Sequence, residues 1–148
     1  MRTLAALALA AAIAILATGC GGGGSGDKET QDTIKQNWET FFDGSSATSN
    51  AARAKLLQNG AAFASIIEAV SENPLSRQLS AKVSQVDVSE PDSAKVKYTL
   101  YLGKNAVLKN VEGTAVRENG TWKVGIGSFC KLLALQGAAP KACASASP

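Results

Sequence analysis

Few side chains of this 148-residue sequence could carry out chemistry. It contains three cysteines and no histidine, so a nucleophile would need a lysine or a carboxylate as its base. Carboxylates could pair for acid–base work, but most lie at predicted turns or on exterior helix faces, where they are ordinarily solvated. The candidate carboxylates are Asp43, Glu68, Glu72, Asp87, Glu90, Asp92, Glu112 and Glu118. We therefore expect no catalytic residue, no metal site and no cofactor, and we predict that the chain is not an enzyme.

The segment before Cys20 has the organisation of a secretory signal. Arg2 is the only charged residue before Asp27, and residues 4–17 are all Leu, Ile or Ala, which is typical of a signal peptide and short for a membrane span of about 20 residues. The sequence "LATGC" at residues 16–20 resembles a bacterial lipobox. The resemblance implies cleavage after residues 1–19 and a diacylglyceryl group on the Cys20 sulfur. The alternative is an uncleaved membrane anchor with an incidental cysteine.

A glycine-rich segment follows the anchor cysteine, and we predict that residues 20–26 form the anchor and a flexible tether of about 13 Å. Residues 27–143 are long enough for one domain, and residues 144–148 are predicted to be a flexible tail. We expect an exported protein held by lipid on the outer face of the cell membrane. Without the signal, 14 basic and 12 acidic residues are interspersed along the chain, so nucleic acid is not an expected partner.

The other two cysteines, Cys130 and Cys143, are an even pair. In an exported protein such a pair predicts a disulfide, and closing a loop of this length contributes about 3 kcal/mol in the chain-entropy description. A metal or redox pair is the alternative, although the spacing matches neither a CxxC motif nor a zinc knuckle.

Residues 27–73 have helical periodicity. One apolar face is predicted from the spacing i, i+4, i+7 and i+8, formed by Ile34, Trp38, Phe41 and Phe42. Gly44 is a plausible C-cap, and Ser49 or Asn50 could cap the next helix. The segments 51–60 and 61–70 predict two further helices, the second closed by Pro74.

Residues 78–127 have the patterns of strands. "AKVKYTLYL" alternates cleanly between apolar and polar residues, as in an antiparallel sheet with one wet face. A bulge is expected near Ser84, and Asn119-Gly120 predicts a type I′ hairpin. "SFCKLLALQG" predicts a short helix capped by Ser128. Together these elements predict an α+β domain, in which N-terminal helices pack on a curved, cone-like, four-stranded antiparallel sheet that is followed by a short C-terminal helix.

The element order resembles the cone-shaped fold of the nuclear transport factor 2 family. More closely, "WETFFDGSSATSNAARAKLLQNGAAFASIIEAV" and "NGTWKVGIGSFCKLLALQGAAPKAC" are similar to the two halves of the mycobacterial low-molecular-weight secreted antigen family, in its actinobacterial lipoprotein branch. That resemblance covers roughly residues 30–143. It implies an exported protein without an established reaction, and it supplies no catalytic residues.

Five aromatic residues lie on predicted inward faces: Trp38, Phe42, Phe63, Tyr98 and Trp122. Such spacing most often means core packing, but a cone can leave a cavity at its wide end, where these rings would form an apolar pocket. We therefore predict a non-catalytic, membrane-tethered interaction module whose partner is another envelope protein or a wall component. The first alternative is a carrier of a small apolar ligand inside the cone, and the second is an enzyme of unknown reaction.

Overall fold

The computed structural model describes residues 25–137 and 140–144. The predicted signal peptide, the lipid attachment at Cys20, the start of the tether and residues 145–148 lie outside these ranges. Within them, four α-helices pack on a four-stranded antiparallel sheet that curls into a half-barrel. The predicted α+β class, with helices on a curved sheet and a short C-terminal helix, is confirmed. The buried core extends from Ile34 to Leu133, so the described residues contain a complete core of their own.

Helix α1 spans Ser25–Phe42 and begins two residues inside the segment that was predicted to be tether. Its predicted apolar face is confirmed, because all four of its members are buried: Ile34, Trp38, Phe41 and Phe42. Gly44 follows without the positive φ of an αL cap. It serves close packing instead, since a Cβ there would lie 1.6 Å from the carbonyl oxygen of Ser76.

Helix α2 spans Asn50–Lys55, and its N-cap is Ser49, whose hydroxyl accepts from the amide of Ala52 at 3.2 Å. The predicted continuation to residue 60 is wrong. Residues 56–58 leave the helix because their backbone pairs with a strand: Leu57 forms a parallel bridge with Val124. A 3₁₀ turn at Gly60–Phe63 then leads into α3, Ala64–Glu72.

The sheet is a meander of β1 (Leu79–Glu90), β2 (Ser93–Leu102), β3 (Asn105–Glu118) and β4 (Thr121–Val124) in sequence order. The register of β1 against β2 shifts between Val83 and Gln85, which confirms the bulge expected near Ser84. Asn119 and Gly120 have φ values of 51° and 78°, as the two central residues of a type I′ turn require.

Helix α4 spans Ile126–Leu135 and starts earlier than predicted, so Ser128 is not its cap. The amide of Ile126 donates to the side-chain oxygen of Gln58 at 3.1 Å. The buried hydroxyl of Ser128 instead accepts from the amide of Thr114 in β3 at 3.0 Å. The disulfide between Cys130 and Cys143 is present, and it ties the chain after α4 back onto that helix.

Helix α1 runs antiparallel to β1. The amide of Gly44, just past the helix, donates to the carbonyl of Leu79 at the start of β1, and Glu39 accepts from the amide of Val83 further along. Nearer the helix start, Lys35 borders the same surface groove as Val86. The first turn of α1 therefore lies at the far end of β1 from Leu79, at the end of an 18-residue helix about 27 Å long.

Candidate apolar binding site

A cavity of about 1100 Å³ opens at the end of the domain where β1 starts and β2 ends. Its volume lies slightly above the usual range for ligand sites, about 300–1,000 Å³. Most of its lining is aliphatic. The lining residues are Ser65, Ile66, Ala69, Val70, Asn73, Leu75, Ser76, Leu79, Leu100, Leu102, Val107, Leu108, Leu132, Leu133, Leu135, Gln136, Gly137 and Pro140.

Three aliphatic side chains of this lining are solvent-exposed. Leu75 is 56%, Val107 49% and Leu135 66% exposed, and they are the large exposed hydrophobic residues among the described residues. We call these three residues the rim. Isolated exposed hydrophobic residues are ordinary, but exposed apolar groups that share one cavity are typical of interaction or ligand sites. The rim residues all line the same cavity, which makes this cavity the candidate site.

Three elements hold the cavity open between them. Helix α3 contributes Ile66, Ala69 and Val70, whose spacing of i, i+3 and i+4 places them on one side of the helix. The hairpin of β2 and β3 forms the second wall. It is fixed by the amide of Gly103, which donates to the carbonyl of Gln78 at 2.8 Å. The third wall is the C-terminal half of α4, which contributes Leu132, Leu133 and Leu135.

The five aromatic residues predicted to form a pocket are all buried, and the structure brings only some of them together. Trp38 lies 5.1 Å from Tyr98 and 5.8 Å from Phe42, measured between ring centroids, and Phe42 stacks on Tyr98 at 5.7 Å. Phe63 instead packs on Phe129 at 6.0 Å. None of the five is among the lining residues of the large cavity.

The large cavity thus lies at a different place from the predicted aromatic pocket, and the size of the aromatic side chains explains the difference. The aromatic rings are large enough to fill the space between helices and sheet, and Trp38 and Trp122 border a crevice too narrow for a water molecule. The space that remains lies beyond them, among smaller aliphatic side chains. No sequence signal marked this space, because lining residues such as Leu132, Leu133 and Leu135 have the same apolar pattern as core residues.

Two groups in the aromatic core are poorly solvated. Burial raises the pKa of the Tyr98 hydroxyl above its ordinary value, because a phenolate in an apolar environment loses its hydration. The buried indole Nε1 of Trp38 has no hydrogen-bond partner among the described residues. Both groups therefore serve packing, and neither reaches the cavity.

A small void of about 40 Å³ adjoins the cavity and shares Val70, Ser76, Leu79 and Leu132 with it. Arg53 borders this void and donates to the carbonyl oxygens of Asp43 and Thr48. Burial lowers the pKa of Arg53, and the neighbouring Asp43 carboxylate opposes that shift. The arginine thereby fastens the loop between α1 and α2.

The electrostatics of the cavity are those of an uncharged site. Among its described lining residues there is no Asp, Glu, Lys or Arg, and the polar side chains are Ser65, Asn73, Ser76 and Gln136. Across residues 25–137 and 140–144, no three side chains of types that ligate metals come together. A helix long and apolar enough to cross a membrane does not occur in the described part of the chain.

Comparison with known protein families places the chain in one of them. The family described as low molecular weight antigen MTB12, C-terminal domain, matches residues 27–140, whereas no curated protein matches the sequence. The matched range contains the whole sheet, the cavity and all four helices. The first two residues of α1 are the one part of these elements that lies outside it. It agrees with the sequence resemblance to the secreted antigens, while the likeness to nuclear transport factor 2 stays a prediction. The chain belongs to the low molecular weight antigen MTB12 family.

Proposed function

We propose that this protein is an exported lipoprotein whose domain binds an apolar molecule in the cavity and releases it chemically unchanged. The observation that carries the proposal is the aliphatic cavity of about 1100 Å³, with exposed Leu75, Val107 and Leu135 at its entrance. Of the functions that the sequence left open, a carrier of an apolar ligand is the one that needs such a space. A module that only docks on another protein needs the surface and not the volume.

The chemistry of the lining supports an uncharged ligand body. A charged group placed among aliphatic side chains without a partner would lose its hydration at a cost of several kcal/mol. An aliphatic chain would gain about 0.8 kcal/mol for each buried CH₂ group. We therefore propose a ligand of acyl-chain character, with the few neutral polar groups of the cavity, such as Asn73 and Gln136, orienting its polar end.

The absence of catalysis is also a proposal, and the side chains available support it. The sequence contains no histidine, and the disulfide removes the thiols of Cys130 and Cys143 from nucleophilic chemistry. The lining consists of side chains that seldom act as acids or bases. The domain would thus bind and release its ligand without changing it.

Membrane attachment is the part of the proposal that rests on the lipobox-like sequence before and including Cys20. A diacylglyceryl group supplies two acyl chains, which suffice for stable anchoring where one chain is marginal. Replacement of Cys20 by Ala should release the protein from the membrane fraction. Retention of the Cys20→Ala protein in membranes washed at high ionic strength, which screens electrostatic binding of the domain itself, would contradict the lipid anchor without affecting the cavity.

The ligand proposal is tested on a chain that starts at residue 20 and carries Cys20→Ala, since the whole core lies downstream. Native mass spectrometry of this protein should detect a retained species of acyl-lipid mass. A pyrene-labelled fatty acid methyl ester, which is uncharged, should bind saturably. Absence of both a retained mass and saturable binding would overturn the proposal.

A matched pair of variants on α3 tests the location of the site. Ala69 lines the cavity, whereas Ala64 is exposed on the same helix and does not. Ala69→Trp fills part of the cavity and should weaken binding of the ester at least about tenfold, equivalent to about 1.4 kcal/mol. Ala64→Trp should leave binding unchanged, and equal effects of the two variants would place the ligand elsewhere.

A further inference from the structure

Charged residues are distributed unevenly between the segments that line the cavity and the rest of the described chain. Five basic residues lie within two positions of a cavity-lining residue, and all five are exposed: Arg77, Lys104, Lys109, Lys131 and Lys141. Only two acidic residues, Glu68 and Glu72 on α3, lie as close in sequence. The rest of the described chain carries nine basic and ten acidic residues. The net positive charge of the described residues therefore lies in the segments that supply the cavity lining.

We infer that the rim docks on an anionic lipid surface. Exposed aliphatic side chains on segments that also carry exposed lysine and arginine are typical of proteins that bind at a membrane interface. The apolar side chains enter the boundary between headgroups and acyl chains, while the basic side chains contact lipid phosphates. Lys131 and Leu135 illustrate the arrangement, because they lie one turn apart on α4 and are both exposed.

The charge asymmetry favours a lipid surface over an uncharged protein partner. An uncharged partner would use the aliphatic rim but would gain nothing from the five basic residues, whereas an anionic membrane surface attracts each of them. The inference rests on the proposed function in one respect: docking would place the cavity entrance against the source of an acyl ligand. The docking itself can be measured without any ligand.

The test uses the Cys20→Ala chain from residue 20, so that no acyl anchor contributes. Sedimentation with vesicles of phosphatidylcholine alone is compared with sedimentation with equimolar phosphatidylcholine and phosphatidylglycerol. Binding should require phosphatidylglycerol, and it should weaken between ionic strengths of about 0.01 M and 0.15 M as the Debye length shortens from about 30 Å to about 8 Å. Equal binding to both vesicle types, or no binding to either, would overturn the inference.

Charge reversal identifies the surface that binds. The double variant Lys104→Glu, Lys141→Glu should lower vesicle partitioning at least about 30-fold, because two basic contributions of about 1 kcal/mol are lost. The control is the double variant Lys35→Glu, Lys55→Glu, which changes the net charge equally at exposed positions on α1 and α2. Equal losses from the two double variants would show that net charge alone, and not the rim, drives binding.

The rim itself is tested by a neighbouring pair on α4. Leu135→Glu should reduce vesicle binding more than Ala134→Glu, since Ala134 is exposed but lies outside the cavity lining. Thermal melting verifies that each variant is folded. Failure here is distinguishable from failure of the proposed function: a protein that binds the pyrene ester but no anionic vesicles refutes the docking alone.

Discussion

Gly113 in β3 and Trp38 in α1 are in such close contact that no side chain fits between them. A Cβ on Gly113 would lie 2.7 Å from Cη2 of Trp38 and 2.7 Å from the Ser128 hydroxyl oxygen. Gly113→Ala should therefore destabilise the domain by about 1–3 kcal/mol, the usual cost of overpacking. Urea unfolding measures this change, with Glu112→Ala at the exposed neighbouring position as the control. An unchanged midpoint for Gly113→Ala would contradict the contact.

Glu39 joins α1 to the bulge in β1, because its Oε1 accepts from the amide of Val83 at 2.9 Å. Glu39→Ala should lower the free energy of unfolding by about 1–3 kcal/mol, since it leaves a partly buried amide without a partner. Glu39→Gln retains an oxygen acceptor and should cost less. Glu29→Ala, at an exposed position on the same helix, is the control. Equal losses for the Ala and Gln variants would show that the hydrogen bond is not what stabilises the contact.

Tyr98 should make the free energy of unfolding decrease as pH rises in the alkaline range. Burial raises its pKa above the ordinary value of 10.0 in the folded state, so the unfolded chain releases this proton first as pH increases. The contribution is present below pH 10 and is lost as pH rises through the raised folded pKa. Urea unfolding at several pH values from 8 upward should show this loss. In Tyr98→Phe it should be smaller, and identical pH profiles would contradict the prediction.

The disulfide should contribute both to stability and to the cavity. Cys130 and Cys143 are 13 residues apart in sequence, and replacing both with Ala should cost about 3 kcal/mol by the chain-entropy description. Pro140 lies inside the closed loop and borders the cavity, so binding of the pyrene ester should also weaken. The wild-type domain should show no free thiol among these two cysteines. Reductant should destabilise the wild type and leave the double variant unaffected.

Local patterns predicted much of this fold. The alternation of residues 94–102 gave the buried side of β2, and the Asn119-Gly120 pair gave the hairpin into β4. The pairing of Leu57 with Val124 could not be predicted, because it depends on where a helix ends in space and not on its periodicity. The cap of α4 was wrong for a similar reason: the acceptor is the side chain of Gln58, which is 68 residues from Ile126 in sequence.

The apolar character of the candidate site could be predicted from the sequence, but the residues that line it could not. An apolar pocket was expected from the aromatic residues, but a sequence does not reveal which large side chains fill the interior and which leave space. Trp38 and Tyr98 pack against each other, and the space remains among aliphatic residues of α3, β2, β3 and α4. The exposure of Leu75 and Leu135 became visible only once the chain was folded.

The direction of α1 separates the start of the helix from the cavity by the length of the domain. Its first turn, where the chain arrives from Cys20, is at the opposite end from the cavity entrance, and the helix between them is a stiff rod of about 27 Å. A protein fixed by acyl chains at one end and adhering through leucine, valine and lysine at the other would behave as a strut. Such a strut would either lie flat along one membrane or bridge two membranes. In the second case the ligand would pass between the cavity and the membrane opposite the anchor.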